Sequence, residues 1–153
     1  RAHLLDLTQA LAPKGRLDND FSLIVAFDVL EHLTVEASIQ FFKNAARLTG
    51  SDGRILIRFP NGGSPFGRLQ QNGDHTHRQA ITHSKINQLV CGTGWKVEFF
   101  SNAFRVVNQE SRLPWLKRCL FPVRDLIEVV LGILYYGHRV PLDPVASALL
   151  IRD

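Results

Sequence analysis

An α/β domain built on a mostly parallel sheet is predicted by three features of the sequence. Apolar runs of strand length recur, segments with helical apolar spacing fall between them, and Gly, Pro and Asp punctuate the junctions. The chain has 153 residues, enough for one domain with a real core.

The elements follow in order. Residues 3–5 form a short apolar stub ending at Asp6, read as the end of a strand. Residues 12–20, APKGRLDND, carry turn chemistry. Residues 21–27, FSLIVAF, are a nearly continuous apolar run, the pattern of a central strand covered on both faces, and Asp28 ends it. Thr34 is the expected cap of a helix with Glu36 in its first turn; Ile39, Phe42, Ala46 and Leu48 supply the apolar spacing and Gly50 the stop. Residues 51–53, SDG, turn the chain into a second strand, 54–59, which Pro60 closes. Residues 60–82 hold four glycines and two prolines and read as a long functional loop. Thr82 or Ser84 caps a short helix with Ile86, Leu89 and Val90 inward, CGTG closes it, and 95–100 is a third strand. A further helix falls within 113–137, with Pro122 near its first turn and Gly137 as its C-cap. Val145 to Ile151 is the last strand. Ligands in such sheets bind at the C-terminal strand ends, so the polar exits Asp6, Asp28 and Asn61 mark the places to look.

Composition narrows the function classes. The net charge of +4 comes from scattered basic residues without a run of four, so nothing argues for a nucleic-acid partner. Cys91 and Cys119 show no CxxC spacing; they read as small core or near-core residues in a reducing compartment. Residues 1–12 lack the pattern of a signal peptide. A cytoplasmic location follows as the expectation, with a peripheral membrane contact left open. The apolar run Val129 to Tyr136 is too short for a bilayer and meets Glu128, Asp125 and Arg124 upstream. The start at Arg1 and the lack of methionine suggest a piece of a longer chain.

Two places concentrate polar chemistry. In FDVLEHL (27–33) an apolar strand delivers Asp28, with Glu31 and His32 within one turn. Either Asp28 caps backbone groups while Glu31 faces water, or the segment lines a ligand crevice. The second place is Asp74-His75-Thr76-His77, whose imidazoles suit a base, a hydrogen-bonding loop or a metal. No third ligand is placed by spacing and HEXXH is absent, so no metal is expected. The GxSxG elbow and the GxxxxGK[ST] loop are absent, which disfavours serine hydrolases and P-loop enzymes. GxGxxG is absent as well, though such a loop would precede residue 1.

FSLIVAFDVLEHL (21–33) resembles the fourth-strand motif of class I S-adenosylmethionine-dependent methyltransferases, and RLTGSDGRILIRFPNG (47–62) is similar to their next helix end, turn and fifth strand. GDHTH (73–77) with SKINQL (84–89), GTGWKVEFF (92–100) and VASALLIRD (145–153) follow the family's later order. The resemblance implies a Rossmann-like three-layer sandwich with an antiparallel last strand and the first strands missing. It makes residues 1–153 the C-terminal part of the domain, with a helical insertion at about 105–142. It implies S-adenosylmethionine as cofactor, lined by Asp6, Leu7, Phe27 and Asp28, and methyl transfer to oxygen of a small-molecule, sugar or lipid acceptor. His77, then His75, become the candidate acceptor-side bases, with Asp74 orienting one of them and His32 third. Ser22, Ser51 and Asp52 depart from the usual pattern. The Gly-rich loop lies outside the sequence, so this fragment alone is expected to be inactive. An RNA or protein methyltransferase and a non-catalytic binding module remain the alternatives. The segment 113–137, with Arg112, Lys117, Arg118 and Arg124 near its apolar stretch, is the expected acceptor, membrane or subunit contact.

Overall fold

The computed structural model describes residues 6–9, 19–103, 115 and 119–153. Strand β1 (Phe21–Phe27) leads through a single 3₁₀ turn (Leu30–His32) into helix α1 (Val35–Leu48) and strand β2 (Thr49–Pro60). Short helices α2 (Arg68–Asn72) and α3 (His83–Val90) precede strand β3 (Trp95–Asn102). Helix α4 (Phe121–Tyr136) and strand β4 (Val145–Arg152) complete the described elements. The sheet order is β1-β2-β4-β3. Strands β1 and β2 are parallel, and β4 is antiparallel to both β2 and β3. The expected Rossmann-like sheet with an antiparallel last strand is therefore the observed one.

Local chemistry places these elements. Thr34 caps α1, its hydroxyl accepting from Ala37 N–H at 3.2 Å, and Glu36 lies in the first turn. The helix buries Phe41, Phe42, Ala45 and Leu48. It hands directly over to β2 at Thr49, so Gly50 and the SDG turn are absorbed into the strand. They form an irregularity in which Phe21 pairs with Thr49 but Leu23 with Arg54. Alternation on β2 and β4 turns Ile55, Ile57, Phe59, Ala146, Ala148 and Leu150 inward. There they meet Phe42 of α1 and Ile86 of α3 in one core. The indole of Trp95 donates to the Phe42 carbonyl at 2.9 Å, tying β3 to α1.

Two expectations change. Strand β1 is an edge strand among the described residues, not a central one covered on both faces. Ile24 and Ala26 pack inward, but Leu23 and Val25 are each 49% exposed, with Phe21 and Phe27 beside them. An apolar run reports two-sided burial only when elements cover both faces, and α1 and α3 pack against one another and the same core. The outer side of β1 is left open among the described residues. Cys91 and Cys119 are exposed rather than in or near the core. Cys91 follows the last turn of α3, beyond the inward stripe of Ile86, Leu89 and Val90. Residues 3–5, 12–18 and 105–114 of the expected elements, with Arg112, Lys117 and Arg118, lie outside the described residues.

Helix α4 is oriented against its own composition. It buries Glu128 and Gly132 and exposes Val123, Leu126, Ile127, Val130, Ile133, Leu134, Tyr135 and Tyr136. Glu128 explains the docking: its Oε2 accepts from Asn102 Nδ2 at 2.6 Å and from Leu142 N–H at 3.2 Å. Pro122 lies in the first turn, and Gly137 ends the helix in the left-handed region at φ 74°. No helix among the described residues is long and apolar enough to cross a membrane.

Candidate functional site

The exit of β1 is built under constraint. Asp28 sits at φ 55°, uncommon for a residue with a side chain, and its N–H donates to the Arg58 carbonyl at 2.8 Å. Its carboxylate pairs with the Arg58 guanidinium, which also lies 4.8 Å from the centroid of the Phe27 ring. Sharp redirection at Asp28 turns the next residues inward. Leu30 and Glu31 are each 1% exposed, so Glu31 does not face water.

The segment after α2 straps across this turn. Arg78 N–H donates to the Glu31 carbonyl at 2.7 Å. Gln79 Nε2 donates to the Leu30 carbonyl at 3.0 Å and to Ser38 Oγ at 2.8 Å. Ile81 bridges to Asn61, closing the strap onto the end of β2. These bonds bring His77 beside His32, with ring centroids 4.7 Å apart in an edge arrangement. Both Glu31 carboxylate oxygens lack a hydrogen-bond partner. Burial holds the Glu31 carboxyl above its ordinary range against the pull of its own backbone N–H; the Asp28 charge adds to the rise, while His32 and His77 oppose it.

The two imidazoles are oriented by different groups. His77 Nδ1 faces the Gln71 carbonyl at 2.9 Å, and His32 Nδ1 faces Thr76 Oγ1 at 2.8 Å. Thr76 Oγ1 in turn donates to Asp74 Oδ1 at 2.6 Å. Thr76 also holds the Asp74 carboxyl below its ordinary range through side-chain and backbone hydrogen bonds. Asp74 itself stands 3.9 Å from His77 Nε2 and 4.0 Å from His75 Nδ1, too far to orient either ring by a hydrogen bond. The His77 side chain is 8% exposed, against 96% for His75.

Other sequence candidates fall elsewhere. Asp6 closes a local turn, accepting from Thr8 N–H at 2.9 Å, Thr8 Oγ1 at 2.6 Å and Gln9 Nε2 at 3.0 Å. These bonds hold its carboxyl below the ordinary range. Asn44 Nδ2 fixes that turn to α1 through the Leu7 and Gln9 carbonyls at 2.9 and 2.6 Å. Asn44 lies nine residues beyond Val35, roughly 14 Å along the helix from the end nearest Asp28. Asp6 and Leu7 thus dock on the far half of α1, whereas Phe27 and Asp28 adjoin the Glu31 cluster. Asn61 is a clamp: its Nδ2 donates to the Pro141 and Asp143 carbonyls at 3.0 and 3.1 Å, and its Oδ1 accepts from Gly63 N–H at 3.1 Å. The residues that sequence reasoning undervalued are Glu31 and Gln79. A charged residue within one turn of an apolar run was the available signal for the first.

A separate cavity of about 530 Å³ opens between α4 and the loop after β2, lined by Phe66, Leu120, Val123, Ile127, Leu142 and Pro144.

The sheet order and the helices on it define the class I methyltransferase-like fold. Among solved structures, the chain is similar to a SAM-dependent methyltransferase from Archaeoglobus fulgidus, with TM-score 0.56 and 18% identity over 90% of this chain and 61% of that one. It is also similar to an S-adenosylmethionine-dependent methyltransferase from Clostridium acetobutylicum, with TM-score 0.56 and 8% identity over 98% of this chain and 63% of that one. The chain thus spans about three-fifths of the length of these structures. No protein-family model matches the chain. No curated protein matches it in sequence.

Proposed function

We propose that the chain is the C-terminal part of a methyltransferase domain that moves a methyl group from S-adenosylmethionine to an oxygen of a small-molecule, sugar or lipid acceptor. The observation carrying this reading is the meeting of Glu31, His32 and His77 beside the C-terminal end of β1, in a sheet of methyltransferase order. Ligands bind at such strand ends. The open edge of β1 suits pairing with further strands of a longer domain.

The donor supplies the sulfonium methyl group. Phe27 and Asp28 fit it as one rim of its site, with a half-exposed ring for a flat base and a carboxylate for hydroxyl or amino groups. Asp6 and Leu7 dock on the far half of α1, so the weight falls on Phe27 and Asp28, whose carboxylate would be shared between the donor and Arg58. On the acceptor side, the chain must align a hydroxyl and manage its proton. His77 is the first choice because its Nδ1 is held by the Gln71 carbonyl, leaving Nε2 for the acceptor. His75 projects into solvent and ranks second. The exposed apolar side of α4 and the neighbouring cavity favour an acceptor with an apolar portion, or a peripheral membrane contact.

The test is turnover by the full-length protein with methyl-labelled S-adenosylmethionine and a panel of hydroxylated glycolipids, sugars and small phenols. Label transferred to one of these classes, with release of S-adenosylhomocysteine, is expected. Label transferred only to RNA or protein, or to none of the panel by a protein that binds the donor, would overturn the acceptor assignment.

A further inference from the structure

We propose that Glu31, His32 and His77 form a binding site for a divalent transition-metal ion of the zinc class. The site rests on geometry and donor chemistry and does not depend on the methyl-transfer reading. One donor atom from each residue lies within 4.8 Å of the other two. Ligands at about 2.1 Å in a tetrahedron stand roughly 3.4 Å apart, so movements of about 1 Å close these side chains on an ion.

The hydrogen bonds settle which nitrogen each histidine offers. A carbonyl only accepts, so His77 Nδ1 carries the proton that bonds Gln71, and Nε2 holds the lone pair. Thr76 has one hydroxyl proton and gives it to Asp74. Its oxygen can then only accept from His32, which places the proton on Nδ1 and the lone pair on Nε2 there too. Metal-binding histidines are held in this way, with the second ring nitrogen donating to a carbonyl or to a carboxylate-backed group. Glu31 supplies the third donor. It is 1% exposed with both oxygens unpartnered, a costly state for a buried carboxylate that a cation relieves. Two imidazoles and one carboxylate are the ligand set of catalytic zinc sites, which keep a fourth position open. Two nitrogen donors disfavour magnesium and calcium.

One corollary rests on the methyl-transfer reading. With an ion bound, His77 Nε2 would hold the metal rather than take a proton, and the metal would supply the acidification of an acceptor hydroxyl at its open position.

The experiment is a metal titration of the full-length protein after chelator treatment, with Co²⁺ followed by its visible absorption and Zn²⁺ by competition. One equivalent of each per chain is expected, with zinc displacing cobalt. Glu31→Gln and His77→Ala should each weaken zinc binding at least tenfold, and His75→Ala should leave it unchanged. Thr76→Val keeps all three donors but removes the His32 contact, and should weaken binding roughly tenfold. That variant decides the matter if the buried substitutions prevent folding. No stoichiometric zinc binding, or binding that Glu31→Gln, His77→Ala and Thr76→Val leave unchanged, would overturn the proposal. Because the readout is the metal itself, it stands or falls separately from any methyl-transfer result.

Discussion

Asn61 holds the exit of β2 to the loop before β4, and its replacement by alanine should cost about 3 kcal/mol. The side chain is 2% exposed and makes three hydrogen bonds: two to the Pro141 and Asp143 carbonyls and one from the Gly63 N–H. Each such bond contributes about 1 kcal/mol net, and carbonyls left buried without a partner add to the loss. For a chain of this size that loss lowers the melting temperature by roughly 6–12 °C. Asn61→Asp should be worse than Asn61→Ala. It keeps the acceptor for Gly63 but sets a negative charge against two carbonyl oxygens now 3.0 and 3.1 Å from Nδ2. Thermal and urea unfolding of the three proteins at one pH provides the assay. A loss under about 1 kcal/mol for alanine, or aspartate as stable as wild type, would refute the clamp.

Three further outcomes follow from the same geometry. His77→Ala should lower turnover at least a hundredfold with donor affinity within twofold of wild type, while His75→Ala stays within threefold on both; steady-state kinetics separate the two effects. Leu134→Glu, at a site 71% exposed on α4, should change stability by less than about 0.5 kcal/mol yet reduce sedimentation with anionic vesicles if this face meets a membrane. Unchanged sedimentation, or none by wild type, would remove the membrane contact. Gly67→Ala should destabilise measurably, because an added Cβ would stand 2.2 Å from the Asn61 carbonyl oxygen. A melting temperature equal to wild type would show that the loop yields freely.

Most of the scaffold was legible because its signals are local. The Thr34 cap, the apolar face of α1, the alternation on β2 and β4, and Gly137 each act within a few residues, and each element stands where its signal lies. The parts that were not legible depend on distant partners. The outward side of β1 reads as buried until the described layers prove to lie on the other face. Glu31 reads either as a solvent residue or as part of a crevice until Arg78 and Gln79 cross above it. Asn61 reads as a site residue until the loop 80 positions later takes up its amide. Spacing within 74–77 offered only two imidazoles, and the neighbours His32 and Glu31 come from more than forty residues upstream. Helix α4 inverts the usual rule, because Glu128 satisfies Asn102 and the Leu142 N–H on its inner side.

Calorimetric titration of S-adenosylmethionine into the full-length protein, wild type and with Phe27→Ala or Asp28→Asn, tests the central claim most directly. The account predicts one donor site per chain, weakened at least tenfold by either substitution, and weak or no binding by residues 1–153 alone. Absence of binding by the folded full-length protein at millimolar donor, or affinity indifferent to both substitutions, would contradict it.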